Sequence, residues 1–534
     1  MAAFALFICK IFMTFLLFTA HSSAVTVSIP DAAPEGAPTV DGTLFSLSIE
    51  QDRWLDWAGN STTGRNQFFN TLDNIIQFTG AAPQLRIGAD SEDRTDFKPG
   101  VQDAELIIQD PDECTPYHEA ANVTVGDAFY EAARFLPNGT HVIWGVNFRR
   151  SNLTAAFLEA QAIGKAFRTE AMKDAGVILD YVEIGNEADL YIGNDSRDED
   201  FDVAEYVEEW TTFATNVTAA AGIRRLAYTA VGWRFCWFIS QCLGQFIKVG
   251  GDNCAGDNDL LQDLMTKTNI RDGLDGFVPD IKAQGLDYVL GETNSFAGHG
   301  SPGVSNSAGA ALWALEYALY GKEIGVTRLY FHEGVGYKYN LVRPLKSHLA
   351  AIISPRLCTR LRLVFYFMSF MIQPTELFVS ITDGSPLDTP LPPHIQPIYY
   401  AAIIAADATG DDGDTLLSVL EIDNDNITVH GFFDSNGAIK RAVFINLEGH
   451  FSDSDEERTS VHIDLDFGDS DGPTTMQIKR LHVPFADADH SLTWGGVTYE
   501  TEDGRPTGEQ SMTTACVSDG FDIRATEVVL LSFS

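Results

Sequence analysis

The period of the hydrophobic pattern divides the chain. From residue 43 to 332, short β-branched and aromatic runs alternate with longer stretches of helical period. The runs at 43–50, 84–88, 141–147, 181–187, 225–231, 288–292 and 326–332 read as strands. Between them, Phe68, Phe69, Leu72, Ile75 and Ile76 share one helical face, and further helices are expected near 155–175, 260–267 and 308–320. Strands alternating with helices predict an α/β chain with a parallel sheet. Polar strand ends at rising residue numbers suit a (β/α)8 TIM barrel over 43–410.

From 411 the texture changes. Short strands at 416–421, 427–433, 442–447, 461–467, 476–483, 492–499 and 528–534 are separated by Asp, Gly and Ser turns, with no helical period. This predicts a C-terminal all-β sandwich over 411–534. An alternating run at 25–30 is expected to join it through a linker ending at 42. Two stretches resist the pattern. No strand with a polar tip is legible in 233–253. Residues 345–380 carry Lys346, Arg356, Arg360 and Arg362 against the single acid Glu376, and hold an apolar run at 363–372 too short to span a membrane. The sharp break in composition reads as a retained intron or a similar gene-model error.

Two strands end on glutamates: Glu187, after Tyr181-Val-Glu-Ile-Gly-Asn, and Glu292, after Tyr288-Val-Leu-Gly. They lie 105 residues apart, which suits three strand-helix units of about 31 residues with a little insertion. Both then fall on the C-terminal rim of the barrel, after strands four and seven. Facing carboxylates are the requirement of glycoside hydrolysis: at about 5–5.5 Å one attacks the sugar while the other protonates the leaving oxygen. Their mutual repulsion keeps the acid protonated. This assigns Glu187 as acid/base and Glu292 as nucleophile, with Asn186 able to donate to and accept from a sugar hydroxyl. Glu183, in the same strand, is expected to have a buried structural partner.

A net charge of −40 argues against nucleic acid and anionic membranes as partners. Residues 1–24, with Lys10, an apolar run at 11–18 and Ser22-Ser-Ala24, read as a secretory signal. Seven Asn-x-Ser/Thr sequons, at Asn60, Asn122, Asn138, Asn152, Asn194, Asn216 and Asn426, fit a glycosylated secreted protein. Cys9 leaves with the signal. Of the remaining cysteines, Cys242 with Cys254 or Cys236 with Cys254 would make a local pair, and no spacing resembles a zinc site.

The chain resembles glycoside hydrolase family 79, the β-glucuronidase and heparanase family, and within it the secreted fungal β-glucuronidases. The residues that carry this are Ile184-Gly-Asn-Glu187, Leu290-Gly-Glu-Thr-Asn-Ser295 with Ala297-Gly-His-Gly-Ser-Pro302, and Gly334-Val-Gly-Tyr-Lys-Tyr-Asn340. Leu85-Arg-Ile-Gly88, Leu492-Thr-Trp-Gly-Gly and Asp503-Gly-Arg-Pro-Thr-Gly add to it. The resemblance implies a retaining mechanism, no metal and no cofactor. It places Glu50, Asp90 and Asn186 on sugar hydroxyls, and Gly298, His299, Tyr337 and Tyr339 near the substrate carboxylate. It also implies a His or Tyr from strand six beside the nucleophile, which is not legible here. The expected partner is a glucuronate-containing glycan, and the expected state a monomer. The reading is a secreted retaining exo-β-glucuronidase acting on terminal glucuronate, including 4-O-methyl-glucuronate. Its rivals are an endo-acting glycosidase on acidic polysaccharide and a non-catalytic carbohydrate-binding relative.

Overall fold

The computed structural model describes residues 24–108, 119–193, 196–223, 257–275, 288–296, 299–334, 336–343, 351–353, 394–468 and 472–534. Six parallel strands lie side by side in the order Ile178–Ile184, His141–Val146, Leu85–Gly88, Phe45–Glu50, Val326–Glu333, Tyr288–Thr293. These are barrel strands four, three, two, one, eight and seven, the neighbour order of a (β/α)8 barrel wall. The strand expected at 225–231 and the stretch 233–253 lie outside the described residues. So do the signal at 1–24 except Ala24, and the stretch 345–380 except the short strand Ala351–Ile353.

The register explains how the rim forms. Glu50 pairs with Gly88, Glu333 with Ile49, and Ile184 with Val146, so these strands end at one level. All six residues of Phe45–Glu50 are buried because both faces of the strand are covered. Alternation still sorts them: Phe45, Leu47 and Ile49 face the helices, and Ser46, Ser48 and Glu50 share the other side. On the helical side the Phe45 and Phe331 rings stack 4.8 Å apart, and Trp313 meets Phe331 edge-on at 6.4 Å.

Trp313 belongs to the helix Ala308–Ile324, which starts on a Ser307 side-chain cap and ends at Gly325 with φ 115°. Nearly every residue in it is buried, since it packs against the helices Asn258–Met265 and Tyr399–Thr409, the strand Val326–Glu333 and the β module. The helix expected at 155–175 is instead two, Leu153–Ala166 and Glu170–Ala175, the second restarting on the Thr169 cap. The segment expected at 260–267 is likewise Asn258–Met265 followed by Lys267–Asp275. No helix among the described residues is long and apolar enough to cross a membrane.

The C-terminal module is a β sandwich. Its larger sheet runs Leu416–Leu420, Ile427–Phe433, Ile439–Asn446, Glu527–Phe533, Thr475–His482, Thr493–Trp494, with Thr513–Cys516 also on Thr475–His482. The smaller sheet runs Val25–Ser28, Ser460–Asp466, Phe521–Arg524. Val27, Ile463, Phe521 and Ile523 of the small sheet meet Val429, Phe444, Ile478 and Leu531 of the large one in a common core. The run expected at 492–499 forms only the two-residue strand Thr493–Trp494, because the chain turns at once through Gly495 and Gly496, both at positive φ. Cys516 is a free, exposed thiol; Cys114, Cys236, Cys242, Cys254 and Cys358 lie outside the described residues. Among the sequons, Asn138, Asn152 and Asn426 are exposed, whereas Asn60 is buried with its Oδ1 accepting from the Thr62 and Thr63 amides.

Barrel and sandwich share one apolar core, and buried polar contacts cross between them. Glu316, inside the Ala308–Ile324 helix, holds His430 Nε2 of the sandwich at 2.6 Å and Arg271 Nη2 at 2.9 Å. Burial alone would raise the Glu316 carboxyl, but the His430 and Arg271 charges outweigh it and pull it down to about 2 from an ordinary 4.5. A lowered carboxyl stabilises the fold above its unfolded value, and the contribution disappears as pH falls through the folded value. The wild type should therefore lose about 3 kcal/mol between pH 4.5 and 2 that Glu316→Gln does not lose. Urea titrations across that range check it; parallel losses in the two proteins would refute it.

Candidate active site

The C-terminal ends of the six strands carry the polar side chains picked out by sequence. Glu50 closes its strand, Asp90 follows Leu85–Gly88, Asn186 and Glu187 follow Ile178–Ile184, and Glu292 sits one residue before the end of Tyr288–Thr293. Opposite Val326–Glu333 the register of that last strand slips by one residue between Leu290 and Thr293. The bulge falls on Gly291-Glu292 and re-aims the carboxylate relative to a regular strand.

Arg86 ties these ends together. Its Nε donates to Glu183 Oε2 at 2.6 Å, and its Nη1 to Glu292 Oε2 at 2.7 Å and to Ser48 Oγ at 3.1 Å. Its Nη2 donates to Asn186 Oδ1 at 2.7 Å. One planar guanidinium thus orients groups from three other strand ends, including Glu292 and the residue beside Glu187. The Arg86 side chain is 4% exposed and that of Glu292 21%, so the hub is sealed while the carboxylate keeps a face toward solvent. Glu183 is the hub's buried counter-ion.

His332 flanks Glu292 on the other side. Its Nε2 lies 3.4 Å from Glu50 Oε1 and 3.6 Å from Glu292 Oε1, and its Nδ1 is 3.3 Å from Ser48 Oγ. Burial would lower the imidazole, but Glu292 and then Glu50 outweigh it and push it up to about 9. Glu50 in turn accepts from the Ser91 amide at 3.1 Å and from the Ser91 hydroxyl.

The loops are fixed by Asp93. Its Oδ1 accepts from the amides of Phe148 at 2.9 Å and Arg149 at 3.0 Å. Its Oδ2 accepts from the Asn186 amide at 3.2 Å and from Tyr191 Oη at 2.8 Å. This cage holds Glu187 in the left-handed region at φ 44°. Six non-glycine residues have positive φ among those described, and Ala89, Glu187 and His299 are three of them. Strained backbone concentrated on one rim is a mark of a functional site. The Glu187 side chain is half-buried.

The far wall groups Asp90, Glu119, His299 and Tyr337. Asp90 pairs with Arg94 at 2.8 Å and with Arg149 at 3.2 Å. Glu119 binds Arg94 through Oε2, while its Oε1 accepts from Tyr337 Oη at 2.8 Å and lies 3.2 Å from His299 Nε2. Burial and the neighbouring Glu119 push the Asp90 carboxyl up to about 8. Burial works the same way on Glu119, but the His299 hydrogen bond and the Arg94 charge bring it well below the ordinary range. The His299 and Tyr337 rings stack at 4.1 Å, and Tyr339 meets Tyr337 edge-on at 5.5 Å. Burial, with Glu119 beside Tyr337 and Glu292 beside Tyr339, raises both phenols, so they remain neutral donors. Gly298 lies outside the described residues. Among the described residues no group of three or more His, Cys, Asp or Glu is placed to hold a metal ion.

Residues 429–530 match the glycosyl hydrolase family 79 C-terminal beta domain. A β-glucuronidase of Aspergillus niger is 24% identical over 546 residues, spanning 94% of this chain and 91% of its own. The chain is thus similar to glycoside hydrolase family 79 in its C-terminal domain and to a β-glucuronidase over most of its length. A second β-glucuronidase, from Neurospora crassa, is 25% identical over 363 residues, covering 62% of this chain and 64% of its own. In fold, the chain is similar to the 4-O-α-L-rhamnosyl-β-D-glucuronidase of Fusarium oxysporum, with a TM-score of 0.69, 18% identity and coverage of 95% and 100% of the two chains. It is also similar to the GH51 arabinofuranosidase of Xanthomonas axonopodis pv. citri, with a TM-score of 0.56, 12% identity and coverage of 96% and 100%.

Sequence reasoning missed Arg86, Asp93, Glu119 and His332 as parts of this site. Arg86 and His332 stood within expected strands, where a charged residue at the pleat position facing the barrel interior was the available signal. A lysine in place of Arg86 has one ammonium and cannot reach Glu183, Asn186 and Glu292 together. Breaking a buried pair costs about 3–5 kcal/mol. Arg86→Lys should lower unfolding stability by about that much in guanidinium titration; a loss below about 1 kcal/mol would mean that the guanidinium is not the hub.

Proposed function

We propose that the protein is a secreted, retaining exo-β-glucuronidase that removes terminal glucuronate, including its 4-O-methyl form, from glycans. The observation that carries this reading is the guanidinium of Arg86, which binds Asn186 Oδ1 and Glu292 Oε2 at 2.7 Å each and so joins two acid-bearing strand ends. The β-glucuronidases of similar sequence support the choice of sugar.

In the proposed mechanism, Glu292 attacks the anomeric carbon while Glu187 gives its proton to the glycosidic oxygen, and the aglycone leaves as an alcohol. Glu187, now a carboxylate, takes a proton from water, whose oxygen displaces Glu292 and restores the anomeric configuration. The strain at Glu187 is of the kind that holds a catalytic group in one orientation. Glu50, Asp90 and Asn186 would bind ring hydroxyls. Tyr337, Tyr339, His299 and Gly298 would face the uronate, where neutral donors suit an anion better than further acids.

Glu292→Ala should abolish turnover of an aryl β-D-glucuronide. Glu187→Gln should slow natural glycans by a factor of 1,000 or more, and an aryl substrate with a good leaving group far less, because that leaving group needs no proton. Steady-state kinetics on both substrates test the pair. Wild-type rates in Glu292→Ala, or equal losses on both substrates in Glu187→Gln, would overturn the roles.

A further inference from the structure

The donors on the far wall are already bound to a carboxylate, and it is the chain's own. Glu119 Oε1 takes the Tyr337 hydroxyl at 2.8 Å and lies 3.2 Å from His299 Nε2, while Arg94 fills Oε2. Tyr337 is buried and stacked on His299, which places both donors on the same carboxylate oxygen. A phenol has one proton to donate, and so does a single ring nitrogen. A donor engaged by Glu119 is therefore not open to a second carboxylate.

The other positive groups of the site are engaged as well. Arg94 and Arg149 pair with Asp90, Arg86 with Glu183 and Glu292, and His332 lies against Glu50 and Glu292. An incoming uronate meets Glu119 as a like charge, and a neutral sugar does not. The Glu119 side chain is 18% exposed and that of His299 26%, so this wall faces open space rather than the core.

We propose that Glu119 is a specificity-determining residue that occupies the donors a sugar carboxylate needs and so sets how strongly the site prefers a uronate over its neutral counterpart. This rests on the glucuronidase reading for the place of the substrate carboxylate. When a uronate binds, Tyr337 and His299 pass from Glu119 to the ligand, and Arg94 retains Glu119. The wild type then discriminates less sharply for uronates than its donor set alone would allow.

The test is calorimetric titration of glucuronate and of glucose into the full chain, for the wild type, Glu119→Gln and Glu119→Ala. Glutamine keeps the size and removes the charge; alanine also removes the acceptor. Both variants should bind glucuronate at least tenfold tighter while glucose changes by less than twofold, and adding Tyr337→Phe to Glu119→Gln should cancel most of the gain. Glucuronate binding that is unchanged, weakened, or absent from all the proteins would overturn the proposal, as would glucose tightening by the same factor. Hydrolysis of an aryl glucuronide by the wild type is read separately. Tighter binding without hydrolysis sinks the glucuronidase reading and leaves this inference standing; hydrolysis without tightening does the reverse.

Discussion

The buried guanidinium of Arg86 is the constraint on which the site depends. A charge that deep is tolerated only when its hydrogen bonds are met, and Arg86 meets them with Ser48, Glu183, Asn186 and Glu292. These residues lie far apart in sequence and become neighbours only when the strands close in barrel order. Assembly of the hub and assembly of the rim are therefore one event. Removing either glutamate would leave a cation short of an anion in a sealed space, so the solvent-facing carboxylate of Glu292 is also a structural element.

Beneath the hub lies a second tier of acids. Glu92 sits with its carboxyl under Gly88 and Gly145, where a Cβ at either glycine would fall within 2.1 Å of its Oε2. The absence of side chains on these two strand residues is what makes the space for it. Burial, and then the charge of Glu183, raise the Glu92 carboxyl well above its ordinary value, against the pull of the Arg86 charge. Asp93, one residue on, bonds four donors and fixes the loop that carries Glu187. The short turn Asp90–Arg94 thus supplies both the buried Glu92 carboxyl and the brace of the loop that carries Glu187.

Much of this was readable in the residues. The strand runs at 43–50, 84–88, 141–147, 181–187, 288–292 and 326–332 carry β-branched and aromatic side chains at strand length, and they form the barrel wall. Glu187 and Glu292 stood out because each follows such a run. The helix Tyr399–Thr409 was not legible: ten of its eleven residues are buried, so it has no polar face to give a helical period. The strand Phe521–Arg524 is four residues long and was lost among turns. Arg86 and His332 were passed over because a lone basic residue in an apolar strand does not announce its partners, which come from elsewhere in the chain. Glu119 stands before the strand Ala120–Val125, which belongs to a small sheet outside the barrel pattern, so no periodicity pointed to it.

The central claim is that Glu292 reaches the anomeric carbon of a sugar held on this rim. The most direct test traps the covalent intermediate with 2-deoxy-2-fluoro-β-D-glucuronosyl fluoride and maps the labelled peptide by mass spectrometry. The account predicts a single fluoroglucuronosyl adduct on Glu292, formed in step with loss of activity. An adduct on any other carboxylate, or inactivation with no adduct, would contradict it.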